Sequence, residues 1–178
     1  MKLFDKVFNN INEQLTASFP WLTNAFGKSQ ILVNNGGRVP SRIPVVYRKD
    51  GSYIGVYPDQ AKGNFLFHIL GDPQIINFKR GFKSTISAKT SMVLWFNLNS
   101  LNGTDTRDIE SVKSDLLNFL SNKLRTPFYS LSVTHVWEGA KNIYQEYTLS
   151  EIKDQYLMQP FAGLRFDFKV TVKQDCNE

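Results

Sequence analysis

The feature that most constrains the fold is an unbroken alternation of apolar and polar residues over residues 164–173. A period of two predicts a β-strand with one buried and one solvent-exposed face. An uncharged patch, residues 156–163, comes directly before it, so we expect this strand to lie in the core of a sheet. The buried side of the strand is predicted to consist of Leu164, Phe166, Phe168, Val170 and Val172.

Length and composition predict one folded domain that spans residues 1–178. Hydrophobic residues make up 42% of the chain, which is typical of a protein with a buried core and not of a disordered one. The one cysteine, Cys176, excludes an intrachain disulfide. Residues 1–8 lack the pattern of a signal peptide, and no apolar run approaches the roughly 18 residues that a membrane-spanning helix needs. We therefore expect a soluble protein that is made in a cytoplasm and has no membrane partner.

Two amphipathic helices are predicted. Residues 2–17 place apolar side chains at helical spacing on one side, and a proline three residues later ends this N-terminal helix. Residues 105–125 predict the longest helix, capped by residues 104–106, with acids near its start and bases near its end, where the helix dipole favours them. Thr148 and Glu151 form a capping-box pattern, which predicts a short third helix.

Hairpins are predicted over residues 43–98. Asp50–Gly51 lies between two β-rich segments and predicts a type I′ turn, which needs positive φ at both central residues. Residues 85–98 alternate as a long strand with a polar first half and an apolar second half, and residues 65–82 are its expected partner. We therefore expect a long hairpin arm that projects from the body of the protein.

This order of elements predicts an α+β fold. Strands do not alternate regularly with helices, which argues against a doubly wound parallel sheet. We expect a mainly antiparallel sheet with the long projecting hairpin, the long amphipathic helix packed on the sheet, and the N-terminal helix. Between the predicted elements we expect a break at Gly27 and a loop at residues 34–37. The expected parts are the N-terminal helix (1–17), the hairpins (43–98), the long helix (105–125), and a strand, short helix and C-terminal strand (128–173).

Charge is uneven along the chain, which carries a net charge of +5. Residues 1–104 hold 12 basic and 5 acidic side chains, whereas residues 105–178 hold 9 basic and 11 acidic ones. Such polarity suits head-to-tail association of identical subunits. The basic segment of the predicted arm is either an inter-subunit or DNA contact or a solvated strand face, and both interpretations stay open. The candidate contact residues are Lys79, Arg80, Phe82, Lys83 and Lys89.

Motifs for catalysis or for metal and cofactor binding are missing from the sequence. The two histidines, His68 and His135, lie in predicted strands without a second ligand at metal spacing. Gly36–Gly37 lacks the following Lys and Ser or Thr of a phosphate-binding loop. We therefore expect no catalytic residues, no metal and no cofactor, and hence no enzyme. A site built from dispersed carboxylates or from the two histidines remains the open alternative.

The order of elements resembles that of the small neck and tail-completion proteins of tailed bacteriophages, including the tail-terminator group. The resemblance is based on the N-terminal helix, the Pro-containing strand 42–47, the hairpin ending in 92–96, the amphipathic helix 105–125 that follows it, and the closing strand 164–172. Residues 156–163 are similar in character to proteins of phages and prophages of Bacteroides-type hosts, including crAss-like ones. The resemblance covers most of the chain and carries no diagnostic motif.

This resemblance implies a structural virion protein that forms a homo-oligomeric ring, sixfold or twelvefold, at the head–tail neck or the tail end. Its role would be that of a connector, a tail terminator or a tail-completion protein. The implied partners are copies of the chain, neighbouring portal, connector or tail proteins, and packaged DNA through non-specific contact. The alternative is a nucleic-acid-binding module that uses the basic segment 79–89.

Overall fold

The computed structural model describes residues 3–48, 50–72, 74–77, 84–101 and 108–174. The helices are α1 (Leu3–Ser18), α2 (Ile109–Asn118) and α3 (Ala140–Ile143). The strands are β1 (Asn24–Asn34), β2 (Ser41–Tyr47), β3 (Tyr53–Gly55), β4 (Phe65–Leu70), β5 (Ile75–Asn77), β6 (Ser84–Asn97), β7 (Tyr129–Glu138) and β8 (Phe161–Gln174).

These eight strands form one sheet in the order β3-β2-β1-β4-β6-β8-β7, and β5 continues the line of β4 along the same edge of β6. Among the described strands, β1 and β4 form the one parallel pair. The centre of the sheet is the antiparallel pair β6–β8, which is in register from Ser84 opposite Gln174 to Asn97 opposite Phe161. The fold is therefore α+β with a mainly antiparallel sheet, as the sequence predicts.

The first face of the sheet packs against α1 and α2. The alternating residues of β8 predicted to be buried, from Leu164 to Val172, all lie on this face and are at most 2% exposed. Helix α1 covers them with an apolar stripe because its buried residues recur at helical spacing. Burial of this apolar surface is the main stabilising contribution to the fold. The residues that α1 contributes to this core are Phe4, Val7, Phe8, Ile11 and Leu15.

The second face of the sheet is covered over only part of its length. The segment from Ala140 to Leu157, which contains α3 and two short 3₁₀ turns, packs there on Trp95 and on the aromatic residues of β4. Tyr144 is fully buried in this layer, 5.8 Å from the Trp95 ring. The remaining part of this face carries exposed polar residues, so the protein has three layers at one end and two at the other.

The helices differ from the prediction in their bounds. Helix α2 begins at Ile109 with Asp108 as its N-cap, because the Asp108 carboxylate accepts a hydrogen bond from the Glu110 N–H at 3.1 Å. It continues as a π-turn over Phe119–Lys123, so the predicted end near residue 125 is close to the observed one. The predicted cap at residues 104–106 lies outside the described residues.

The predicted third helix and the predicted turn are also corrected. Thr148 and Glu151 form no capping box, because the Thr148 hydroxyl accepts a hydrogen bond from the Arg42 N–H at 2.9 Å instead. The residues that follow form 3₁₀ turns. In the β2–β3 hairpin, φ is positive at Gly51 and at no described non-glycine residue, so the turn is not type I′. The turn is closed by the Arg48 N–H, which donates to the Ser52 carbonyl at 2.8 Å.

The largest departure from the prediction is strand β1. The sequence predicts a break at Gly27, but β1 runs through this residue and reaches Asn34. Its pairing with β4 shifts register between Ala25 and Lys28. Glycine is tolerated here because the strand is locally irregular at this register shift, as it is at a β-bulge. Strand β6 pairs with β4 and β5 as the predicted hairpin requires, but its other edge pairs with β8 along its whole length. Strand β6 therefore lies inside the sheet and not in a projecting arm.

Candidate interaction surface

The longest run of exposed large apolar residues among the described residues lies at the end of the β1–β2 hairpin. We define residues 30–43 as the ribbon, which comprises the end of β1, the connecting loop and the start of β2. Three consecutive β1 residues, Ile31, Leu32 and Val33, are 43%, 50% and 51% exposed. Because successive side chains in a strand point to opposite faces, both faces of the ribbon present apolar surface to water. Val39 in the loop is 78% exposed.

The ribbon also has a strand edge without a neighbour in the part of the chain that the structure describes. Strand β1 pairs with β4 at Asn24, Ala25 and Lys28, whereas its pairing with β2 continues to Asn34. Strand β4 ends at Leu70, so the last part of β1 extends past it. An exposed strand edge of this kind is a template on which another chain adds a strand.

The ribbon belongs to a segment that carries positive charge without negative charge. Residues 24–48 contain Lys28, Arg38, Arg42 and Arg48 and no Asp or Glu. The three arginines are exposed, and Lys28 is half-buried. An acidic surface would therefore attract this part of the molecule.

Acidic residues lie at the opposite end of the sheet. Strand register places Glu138 of β7 level with Ala25, where β1 begins, and so far from the tip of the ribbon. Lys113 of α2 bonds to both Glu138 and Glu110 at 2.7 Å, which places the acidic start of α2 at this same end. The ribbon end of the sheet is thus basic and apolar, whereas the opposite end holds Glu110 and Glu138, which share one cation, Lys113.

Of the residues predicted as contacts, the structure describes Lys89. It is exposed on β6, directly opposite Lys169 of β8. The Lys89 carbonyl accepts a hydrogen bond from the Gly71 N–H at 2.9 Å, which holds the end of β4 against β6. The other four candidates, Lys79, Arg80, Phe82 and Lys83, lie outside the described residues. Sequence reasoning did not identify Lys169, because its position beside Lys89 depends on the β6–β8 register.

An ion network on the second face of the sheet joins β8 to the segment that covers it. Buried Arg165 donates two hydrogen bonds to the Glu146 carboxylate, at 2.7 and 2.8 Å, and one to Asp167 Oδ1 at 2.9 Å. Asp167 also accepts from the Ser91 hydroxyl at 2.6 Å and from Trp137 Nε1 at 2.7 Å. Burial opposes both charges, yet these bonds outweigh it, so the pKa of Arg165 is raised and that of Asp167 is lowered. Both groups stay charged and satisfied.

His68 is a buried, neutral residue beneath α1. Its Nε2 lies 2.8 Å from Asn12 Oδ1, and the Asn12 amide nitrogen donates to the Phe26 carbonyl, so Nε2 carries the proton. Burial lowers the pKa of His68 to about 3, and its ring stacks on Phe8 with centroids 4.4 Å apart. His135 is exposed on the opposite face of the sheet, so the structure does not bring the two histidines together.

Three further features of the described residues bear on metal binding, ligand binding and membrane crossing. No group of three or more His, Cys, Asp or Glu residues within them is arranged to hold a metal ion. A shallow groove of about 690 Å³ lies between α1 and residues 119–127, where the Gln14 side chain bonds to both backbone groups of Arg125 at 2.8 Å. Within the same residues, no helix combines the length and the apolar character that crossing a membrane requires.

No protein-family model matches this chain, and no curated protein is significantly similar to it.

Proposed function

We propose that this chain is a structural virion protein that assembles with copies of itself into a ring at the head–tail neck or the tail end of a tailed bacteriophage. The observation that carries self-assembly is the ribbon, in which three consecutive half-exposed apolar residues lie on β1 beyond its pairing with β4, where that edge meets no other described strand. Such an edge pairs readily with another chain. Burial of its apolar side chains would add the hydrophobic contribution that stabilises an interface.

The charge distribution supports a contact between unlike surfaces of neighbouring copies. The ribbon segment is basic, whereas the start of α2 and the end of β7 are acidic and lie at the other end of the sheet. A contact between two different patches is heterologous, and it closes into a ring when the rotation between subunits closes. We propose that the ribbon of each subunit reaches the acidic end of the next.

The placement in a phage rests on the order of elements. An N-terminal helix, hairpins, one amphipathic helix and a long closing strand follow one another in this chain. This order resembles that of neck and tail-terminator proteins. On this proposal the ring is sixfold or twelvefold and contacts neighbouring portal, connector or tail proteins. The chain then acts in the virion as a connector, a tail terminator or a tail-completion protein, not as an enzyme.

The ribbon is tested with the double variant Leu32→Thr, Val33→Thr, measured by light scattering over a range of concentrations. Threonine keeps strand propensity, so the monomer should fold, but it removes apolar surface from both faces of the ribbon. The two substitutions remove apolar surface that each contact between subunits would bury, so the free energy of association should weaken by about 2–3 kcal/mol. The association constant should then fall at least tenfold.

The matched control is Leu157→Thr, Met158→Thr, which alters two exposed apolar residues outside the ribbon. This control should assemble like the unmodified chain. Equal assembly of the ribbon variant and the unmodified chain would rule out the ribbon as the contact. Equal weakening by both double variants would do the same.

A further inference from the structure

The uncovered part of the second sheet face carries lysine and hydroxyl side chains. We define the lysine face as Lys89, Lys169, Lys173, Ser130 and Ser132, all of which are exposed. Strand register places them on one face of β6, β8 and β7. We infer that this lysine face binds the phosphate backbone of duplex DNA without reading its base sequence.

The lysine face places like charges side by side on neighbouring strands. Lys89 and Lys169 are direct cross-strand partners, and like charges in that position destabilise a sheet. Within the described residues, no ion pair joins Lys89, Lys169 or Lys173 to a carboxylate. A polyanion bound to this face would relieve the repulsion.

The acid nearest to this face along β8 is already engaged in hydrogen bonds. Asp167 is two residues from Lys169, and both of its carboxylate oxygens are occupied. Oδ1 accepts from Arg165 and Ser91, and Oδ2 accepts from Trp137 at 2.7 Å. The carboxylate is thus turned toward the ion network, and the lysine face keeps its positive charge.

The dimensions of the face suit a duplex. Lys169 and Lys173 are four residues apart on one strand, which is about 13 Å at roughly 3.3 Å per residue. Duplex DNA carries one phosphate charge per about 1.7 Å of axis, so roughly eight charges lie along that span. Ser130 and Ser132 extend the row on β7 with hydroxyl groups, which donate to phosphate oxygens.

Lysine and serine contacts to phosphate carry no sequence information. Base-independent binding is therefore expected. None of the residues of the lysine face belongs to the ribbon, so this inference stands or falls independently of the proposed ring.

The inference is tested with the full chain, by fluorescence anisotropy of a short labelled DNA duplex of mixed sequence at about 50–200 mM salt. The variant is Lys89→Glu, Lys169→Glu, and the matched control is Lys141→Glu, Lys153→Glu. Both control lysines are exposed in the segment that covers the other part of the same face. Each double variant lowers the net charge of +5 equally, to +1.

The expected result is a loss of affinity of more than tenfold for the lysine-face variant at low salt, with little change for the control. The slope of log affinity against log salt should also become shallower by about two, since each lost phosphate contact removes about 0.9. A second duplex of unrelated sequence should bind equally well. Equal losses in both variants, or an affinity of the unmodified chain that does not fall with salt, would overturn the inference.

The ribbon variant Leu32→Thr, Val33→Thr separates this inference from the proposed ring. If the lysine face binds DNA, adding Lys89→Glu, Lys169→Glu to that variant still weakens DNA binding, whether or not the chain forms rings. If DNA binding by the ribbon variant is insensitive to the two lysines, the lysine face is not the binding site.

Discussion

At the scale of single residues, the buried imidazole of His68 makes the stability of the fold depend on pH. Its pKa is about 3 in the folded chain against an ordinary 6.5, so the unfolded chain binds more protons between these pH values. The stability contributed by neutral His68 is fully present above pH 6.5. It is lost as pH falls from 6.5 toward 3, by about 1.4 kcal/mol per pH unit.

Urea unfolding of His68→Gln between pH 6.5 and pH 3 tests this prediction. The variant should show a flatter pH profile than the unmodified chain, because glutamine does not titrate. His135→Gln, at the exposed histidine, should keep the original slope. Equal slopes for His68→Gln and the unmodified chain would contradict a buried neutral histidine.

Arg165 is predicted to be the most sensitive charged residue. Arg165→Met leaves the carboxylate of Asp167 partly buried without its cation, which costs about 3 kcal/mol in the free energy of unfolding. Glu146→Gln should cost less than about 1 kcal/mol, because that side chain is 34% exposed and Asp167 still pairs with Arg165. Chemical denaturation measures both. A smaller loss for Arg165→Met than for Glu146→Gln would contradict the described network.

Glycine is predicted to be required at position 163, because the Trp95 ring occupies the space of a side chain there. A Cβ at this position would overlap the ring of Trp95, its cross-strand partner, so Gly163→Ala should destabilise the fold by about 1–3 kcal/mol. Gly27 is the matched control, since no atom lies within 4 Å of a Cβ placed there. Gly27→Ala should be neutral or slightly stabilising in the same thermal unfolding experiment. Equal effects of the two substitutions would show that the Trp95 ring yields.

At the scale of elements, hydrophobic periodicity predicted the strands and helices whose pattern lies within one continuous segment. The alternation in β8 and the apolar stripe of α1 each follow from one segment, and both are present as predicted. Strand β1 was missed because its first half contains Gly27 and its end is exposed on both faces, so no alternation marks it. The position of Lys169 beside Lys89 depends on pairing between strands some 80 residues apart, which no local pattern encodes.

The β6–β8 pair gives a prediction at this scale. Lys169→Glu replaces a repulsive cross-strand pair with an attractive one, so it should stabilise the fold by about 0.2–1 kcal/mol. Lys173→Glu is the control, because Lys173 lies opposite Thr85 and gains no opposite charge there. Urea unfolding at low salt measures the difference. A Lys169→Glu variant no more stable than Lys173→Glu would contradict direct repulsion between Lys89 and Lys169.

At the scale of the whole molecule, the two ends of the sheet differ in chemistry. One end holds the ribbon and the lysine face, and the other holds the acidic start of α2 and the covering segment 140–157. Lys169 and Lys173 belong to the half of the chain with the net negative charge, so the charges of the two halves did not predict the lysine face. The sequence did not identify the ribbon as an exposed apolar segment, because the exposure of a strand depends on where the neighbouring strands end.

The most direct test of self-assembly is the mass of the unmodified chain in solution, measured by light scattering up to millimolar concentration, with electron micrographs of the same sample. We predict particles of six or twelve times the chain mass of 20.4 kDa, seen as closed rings. A chain that remains monomeric over the whole range, with no rings in the micrographs, would contradict assembly through the ribbon.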